Sequence, residues 1–409
     1  MASRNGTEPR VLIVSQHPYP EDTTLQRNVG ALLSSGVAVD LVCVTWGPRK
    51  PPPHVRLHAI CIEHKRSHAW WYPLHFIAFF AWAFFMVSLL AVRNRYQAVE
   101  VDNLPDFLAF TTIVPRLRRT RIVLYLRELM PELTMARLRR DRGSAVVRLA
   151  RWLERAATGW SDRVVTVSNT CRRLVEQRSV NPRKITVVPN SHPLASFPPR
   201  RPAQPPFIVL QTTLIERYGV DVAIRALAQL HPTWPDLTLE IIGDGEQRQQ
   251  LIELADRLGL SQHVRFSPGW LVWSRAMQTV SGATLGIVPI VADGYGELML
   301  PNKILEFAML EIPAAASRLP GLQEHFPEDA VAYFEPGDAA GLAAQLHRLL
   351  ADPQAARRQA LRARQAAAPL AWESALPRYL EALGLEPYPA ARVASGATSA
   401  SPPAQTPGR

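Results

Sequence analysis

The hydrophobic positions of this chain fall into short apolar runs separated by segments of helix length. The runs at 11–15, 39–45, 55–62, 99–102, 122–126 and 164–168 are rich in Val, Ile and Leu. Near-continuous runs of this length predict strands buried on both faces, as in parallel sheets. Helices fill the gaps, notably 24–33 and 145–157, the first ending near Gly36, which suits the left-handed position after a helix. The rhythm restarts after residue 206, with predicted strands at 207–211, 238–242, 264–266 and 285–289 and helices at 220–230, 247–258, 339–350 and 353–368. Alternating strand and helix, twice over, predicts an α/β chain.

The pattern divides the chain. Residues 1–195 form a first Rossmann-like unit. Residues 196–206, with five prolines, read as a semi-rigid linker. Residues 207–368 form a second unit, and 369–385 a closing helix around Trp372. The tail, 386–409, is rich in Pro, Ala, Ser and Gly and is expected to be disordered.

The run from Trp70 to Val92 stands apart. It carries no charge beyond the titratable His75 and is long enough to cross a bilayer. Spanning conflicts with topology, because the predicted strands on either side should join one parallel sheet, and a crossover helix packs back on that sheet. Two readings remain: a buried crossover helix, or a helix that packs one face on the sheet and dips the other into lipid. The run is apolar all round, whereas a helix covering a sheet keeps a polar stripe. Trp70, Trp71 and Tyr72 also suit a bilayer interface, so the second reading is preferred.

Composition sharpens this. At 47% hydrophobic and 20% charged, the chain is globular. Net charge is +11, and arginines cluster at Arg116, Arg118, Arg119 and Arg121 and again at Arg137, Arg139, Arg140, Arg142, Arg148, Arg151 and Arg155. No nucleic-acid-binding motif accompanies them, so an anionic membrane surface is expected as partner and nucleic acid is not. Cys43, Cys61 and Cys171 lack metal-ligand spacing; the first two sit in apolar runs and are expected to be buried thiols in a reducing compartment. The start of the chain does not read as a signal peptide.

Candidate chemistry concentrates at residues 300–309. Pro301 suits the first helical position, and Leu300 before it offers no capping oxygen. The N–H groups of Asn302, Lys303 and Ile304 are then open to an anion, which the helix dipole favours. Lys303 and Glu306 share a face. A surface Lys–Glu pair on an ordinary helix is the plain alternative.

Leu300-Pro301-Asn302-Lys303 with Glu306 resembles the "LPNK-x-x-E" signature of family 4 glycosyltransferases. The resemblance extends to Thr213-Leu214-Ile215-Glu216-Arg217-Tyr218-Gly219, Ile241-Ile242-Gly243-Asp244-Gly245, Ile312 to Leu322, and Tyr333-Phe334-Glu335-Pro336-Gly337-Asp338. In the first half it includes Tyr19-Pro20-Glu21-Asp22, Asn103-Leu104-Pro105-Asp106-Phe107 and Val188-Pro189-Asn190-Ser191. It covers roughly residues 10–385.

The resemblance implies the GT-B fold: two Rossmann-like domains, a cleft between them, and a C-terminal helix returning to the first domain. It implies a retaining transferase that uses a UDP- or GDP-linked sugar, without cofactor or metal, at the cytoplasmic face of a membrane. The acceptor would be a lipid-linked or other membrane-borne glycan. Arg217 and Lys303 would flank the diphosphate, Glu306 would bind the ribose, and Asn302, Gly243, Gly245 and Glu297 would complete the donor site. Several positions depart from the family pattern. A second glutamate is expected where Leu298 stands, with Glu297 one residue early, and Thr212 replaces a glycine. Glu100-Val101-Asp102-Asn103 replaces "HxHN", and Arg127 replaces a histidine. An arginine cannot act as a base near neutral pH, so Arg127 is expected to bind an acceptor phosphate. The altered acceptor side keeps a non-catalytic nucleotide-sugar-binding protein as the second reading. A GT-B epimerase is a third, although it gives no reason for a membrane helix.

Overall fold

The structure, a computed structural model, describes residues 8–47, 50–61, 71–138, 140–178 and 180–386. Expectations for the N-terminus, Trp70, Arg139, the tail beyond 386 and the side chains of Trp71 and Tyr72 lie outside it.

Among the described residues, the first sheet has seven parallel strands: Arg10–Pro18 (β1), Ala38–Thr45 (β2), Val55–Cys61 (β3), Ala98–Asp102 (β4), Arg121–Leu126 (β5), Arg163–Thr166 (β6) and Ile185–Val187 (β7). Their order is β3-β2-β1-β4-β5-β6-β7. Every residue of β2 and β4 is buried, including the acids Asp40, Glu100 and Asp102. The sequence pattern did not single out β7. β3 is an edge strand, so Cys61 at its end is exposed; this corrects the expectation of a buried thiol, whereas Cys43 in β2 is buried.

Helices cover both faces. Thr23–Ser34 (α1) starts at Asp22, whose carboxylate accepts from the Leu25 N–H. Trp71–Arg93 (α2) connects β3 to β4 and lies on the opposite face, beside a short turn at Asp106–Thr112, the helix Ile113–Leu117 (α3), and Ala145–Trp160 (α4). Phe79, Ala83, Val87, Leu90 and Ala91 of α2 form the buried stripe, at helical spacing. The outward face stays apolar: Ile77, Phe85 and Val92 are 59%, 64% and 61% exposed. Since β3 and β4 lie in one parallel sheet, α2 is a crossover helix that packs on that sheet.

The second sheet has six parallel strands among the described residues: Phe207–Gln211 (β8), Thr238–Ile242 (β9), Val264–Phe266 (β10), Leu285–Val288 (β11), Ala314–Ser317 (β12) and Ala332–Phe334 (β13), in the order β10-β9-β8-β11-β12-β13. Two helices around it matter below, Trp273–Val280 (α5) and Asn302–Met309 (α6), and the chain closes with Trp372–Ala382 (α7). Residues Trp372, Ala375 and Tyr379 of α7 pack into the core of the first sheet, so the chain ends on the domain where it began. The Pro-rich segment follows the second domain closely: Arg201 and Ala203 donate to the carbonyls of Ser281 and Gly282.

The two faces of α2 predict opposite mutational behaviour. Phe79→Ala should cost about 3–5 kcal/mol in denaturant unfolding, and Phe85→Ser within ~0.5 kcal/mol of nothing. Equal costs would mean that the outward face is covered in solution.

Candidate active-site cleft

A cavity of about 290 Å³ lies between the two domains. One wall is the carboxyl edge of the second sheet: Gln211 at the end of β8 with Thr212 and Thr213 after it, Pro289 and Ile290 after β11, and the start of α6 at Pro301, Asn302 and Lys303. The other wall includes Arg127 and Glu128 after β5 and Asn190 after β7. Strand order reverses between β8 and β11, and doubly wound sheets bind ligands at the carboxyl edge of such a switch point.

α6 begins at Asn302, one residue later than expected. Pro301 holds the cap position (φ −66°, ψ 131°) and not the first helical one, because its fixed φ also suits extended backbone. No side chain caps the turn. Ile304 N–H donates to the Pro301 carbonyl at 3.2 Å, leaving the N–H groups of Asn302 and Lys303, and both residues line the cleft. The positive charge of Lys303 reaches across to His192, whose pKa falls to about 3 through burial and the nearby Arg27 and Lys303 charges.

The other expected residues sit behind this wall. Arg217 is beside Tyr218, which lines the cleft, but its Nε lies 2.5 Å from Asp293 Oδ2 and its guanidinium over the Tyr295 ring at 4.9 Å. Glu306 is buried one turn into α6; its Oε1 accepts from Trp273 Nε1 at 2.9 Å, and its Oε2 has no partner. Gly243 and Gly245 support the wall without lining it. Gly243 has φ 150°, and an added Cβ would lie 1.8 Å from the Thr212 carbonyl oxygen. At Gly245 a Cβ would meet the Leu214 backbone at 2.4 Å. Their close approach is thus to the chain's own β8 loop. Glu297 lies in the turn Gly296–Leu298, outside the lining, while Leu298 lines the cleft where the family pattern has glutamate.

Arg127 differs most from expectation. Its fork is taken up internally: Nη1 donates to Asp22 Oδ1 at 2.7 Å and Nη2 to Asp102 Oδ2 at 2.5 Å. Burial opposes its charge, but the two carboxylates more than offset this and raise its pKa. Asp22 is held below the usual carboxylate range; burial opposes this, and Arg127 and His17 outweigh it. Ser15 Oγ donates to Asp102 at 2.7 Å. Alongside, Arg27 donates to the Tyr125 hydroxyl at 2.9 Å, and Asn28 donates to Glu100 Oε1 at 3.0 Å. Of the positions that depart from the family's histidines, Asp102 and Arg127 thus form a buried ion pair, and Glu100 lies close enough to feel the Asp102 charge. Arg127 is committed to two acids rather than presented as a free phosphate fork; its partner Asp22, 105 residues away in sequence, is what sequence reading missed. Sequence reading also missed Trp273, Asp293 and the cleft-lining Glu128, whose pKa burial raises against the pull of Arg137, Arg217 and Arg127.

Residues 23–196 match the family model described as "Glycosyltransferase Family 4", and residues 205–352 match "Glycosyl transferases group 1". The chain belongs to the family 4 glycosyltransferases. Glycogen synthase of Mycobacterium tuberculosis is 32% identical over 219 residues, covering 52% of this chain and 50% of that protein. The lipopolysaccharide core biosynthesis glycosyltransferase LpsE of Rhizobium meliloti is 31% identical over 37% of this chain and 41% of its own length. The chain thus spans about half or less of these curated relatives. Among solved structures, sucrose-phosphate synthase from Thermosynechococcus elongatus superposes with TM-score 0.69 at 20% identity, covering 91% of this chain and 98% of that one. WaaG, a glycosyltransferase involved in lipopolysaccharide biosynthesis, gives 0.65 at 16% identity over 91% and 99%. These likenesses establish the GT-B fold.

The network beneath Arg127 makes stability pH-dependent. Burial and the Asp102 charge raise the Glu100 pKa to about 7. The folded protein therefore holds this proton more tightly than the unfolded chain, and stability is lost as pH rises from about 4.3 toward 7. Glu100→Gln keeps an acceptor for Asn28 and does not titrate. The variant should gain on the order of 1–3 kcal/mol over the parent at pH 8 and nothing at pH 4 in urea melts. A gain independent of pH would contradict this origin.

Proposed function

We propose that the protein is a retaining, metal-independent glycosyltransferase that moves a sugar from a UDP- or GDP-linked donor to a lipid-linked or other membrane-borne glycan acceptor. The observation that carries this reading is the cleft at the β8/β11 switch point, where the uncapped start of α6 and Lys303 face Glu128 and Asn190 of the first domain. In the reaction, the bond from the sugar C1 to the diphosphate oxygen breaks, a bond from C1 to the acceptor oxygen forms, and the acceptor hydroxyl's proton passes to the departing diphosphate oxygen. The transition state is oxocarbenium-like, and negative charge develops on the leaving diphosphate. Fixed donors aimed at that charge contribute most. Lys303 and the α6 N–H groups would supply them, and Arg217 would join if the diphosphate displaced Asp293. Relatives support the substrate class: one is named as a GDP-mannose-dependent phosphatidylinositol monomannoside mannosyltransferase, and the Anabaena HepE structure holds UDP-glucose. A non-catalytic nucleotide-sugar-binding protein is the second reading, favoured by the Arg127 and Arg217 guanidiniums both being paired with acids.

The site of action we propose is the cytoplasmic face of an anionic membrane. The first sheet carries α2, α3 and α4 in one layer, and their outward residues include Phe85, Leu117 and Trp152, at 64%, 79% and 62% exposed. Arg93, Arg95, Arg116, Arg118, Arg119, Arg148 and Arg155 are exposed on or beside the same helices. Arg118 donates to the Val92 carbonyl at 3.1 Å, tying α3 to the end of α2. Exposed apolar residues with arginines on the same helices suit insertion among anionic headgroups. Free thiols at Cys43, Cys61 and Cys171 fit the reducing side.

Two outcomes test these assignments. Lys303→Ala should weaken nucleoside-diphosphate binding roughly tenfold to a hundredfold, the worth of a charge-assisted contact. Unchanged affinity in a folded variant would remove Lys303 from the diphosphate site. The protein should also sediment with phosphatidylserine-containing vesicles in low salt, less so in high salt, and Phe85→Ser with Leu117→Ser and Trp152→Ser should release it. A parent that stays in the supernatant at low salt refutes the membrane reading.

A further inference from the structure

Glu306 is 3% exposed, yet only one of its carboxylate oxygens is satisfied, by the Trp273 N–H at 2.9 Å. The other, Oε2, is buried with no partner. A buried acceptor without a donor is costly and marks a place where a ligand can supply one. Trp273 begins α5, and its ring is held from outside the second sheet. His192 stacks on it at 4.2 Å between centroids and 29° between planes, and Phe197 meets it edge-on at 5.2 Å. Both belong to the segment that leaves β7 for the second domain. That segment is fastened to the first domain by Arg27 of α1, which donates to the carbonyls of Ser191 at 2.9 Å and Pro189 at 3.2 Å. The depressed pKa of His192 keeps its ring neutral at physiological pH, so the stack is between uncharged faces.

We propose that Trp273 is a positioning residue. Its N–H fixes the Glu306 carboxylate so that Oε2 meets the ribose diol of the donor, and the His192 stack sets that aim from the first domain. The contacts run from Arg27 through residues 189–192 and Trp273 to Glu306, which couples recognition of the donor's sugar hydroxyls to the docking of one domain on the other. The inference rests on the donor-site reading above and adds to it a residue outside the cleft lining and an origin for ribose recognition in the opposite domain.

The test compares UDP and GDP with their 2′,3′-dideoxy analogues by calorimetry. The parent should prefer the hydroxyl-bearing form of its nucleotide by roughly tenfold or more, the scale of a hydrogen bond to a charged group. Trp273→Phe keeps an aromatic face and loses the N–H. Its preference should fall below about threefold, while affinity for the dideoxy form stays at the parental value. Glu306→Gln serves as the reference for lost ribose recognition. If Trp273→Phe does not fold, His192→Ala and His192→Phe read the same coupling: alanine should reduce the preference and phenylalanine, which can still stack, should retain it. A folded Trp273→Phe with the parental preference, or His192→Ala with no change, overturns the inference. A parent that binds a diphosphate without preferring ribose hydroxyls overturns it while leaving the diphosphate site standing. A parent that binds neither nucleoside diphosphate overturns the donor-site reading together with this inference.

Discussion

Parallel strands buried on both faces meet solvent only at their ends, and this constraint places everything functional in the molecule. Each sheet is covered by helices on both sides, so loops that carry polar chemistry gather at the carboxyl edges. The second sheet contributes the residues after β8 and β11 and the start of α6. The first contributes the residues after β5 and β7. With α7 packed back on the first domain, the two edges face each other across one cleft.

The interior of the first domain is unusual for a parallel sheet, because β4 buries two acids, Glu100 and Asp102. An isolated buried carboxylate costs far more than a hydrogen bond returns, so such groups persist only when paired. Here Arg127, Ser15 and Asn28 supply the partners. Of the departures from the family's histidines, Asp102 and Arg127 offset each other as an ion pair, whereas Glu100 is bonded to the neutral Asn28, and burial and the Asp102 charge make it hold its proton more tightly.

Much of the fold was legible. The runs at 207–211, 220–230, 238–242 and 264–266 coincide with β8, a helix, β9 and β10. Strands β7 and β13 do not stand out in the sequence pattern, although β10, equally short, does, and β12 is Ala-Ala-Ala-Ser, a sequence with weak strand preference that tertiary burial overrides. The apolar character of α2 was plain, and the structure shows the physical split behind it: Phe79 and Val87 face the sheet, while Ile77 and Phe85 face out. The site was only partly legible. Asn302 and Lys303 reach the cleft because one local motif places them there. Partners distant in sequence did not announce themselves: Asp293 for Arg217, Trp273 for Glu306, and Asp22 and Asp102 for Arg127. Local spacing carries no information about which far strand end a side chain will meet.

The central claim is that the cleft between the sheets holds a nucleoside diphosphate with its phosphates at the start of α6. The most direct measurement is a thermal-shift titration with UDP, GDP, the matching monophosphates and the free nucleosides. A ligand at a hundred times its dissociation constant stabilises the folded state by about 2.7 kcal/mol, enough for a clear rise in melting temperature. The account predicts that one diphosphate raises the melting temperature well above its monophosphate and nucleoside, because the added charge meets Lys303 and the open helix end. Equal shifts for diphosphate, monophosphate and nucleoside, or no shift with either diphosphate at millimolar concentration, would contradict it.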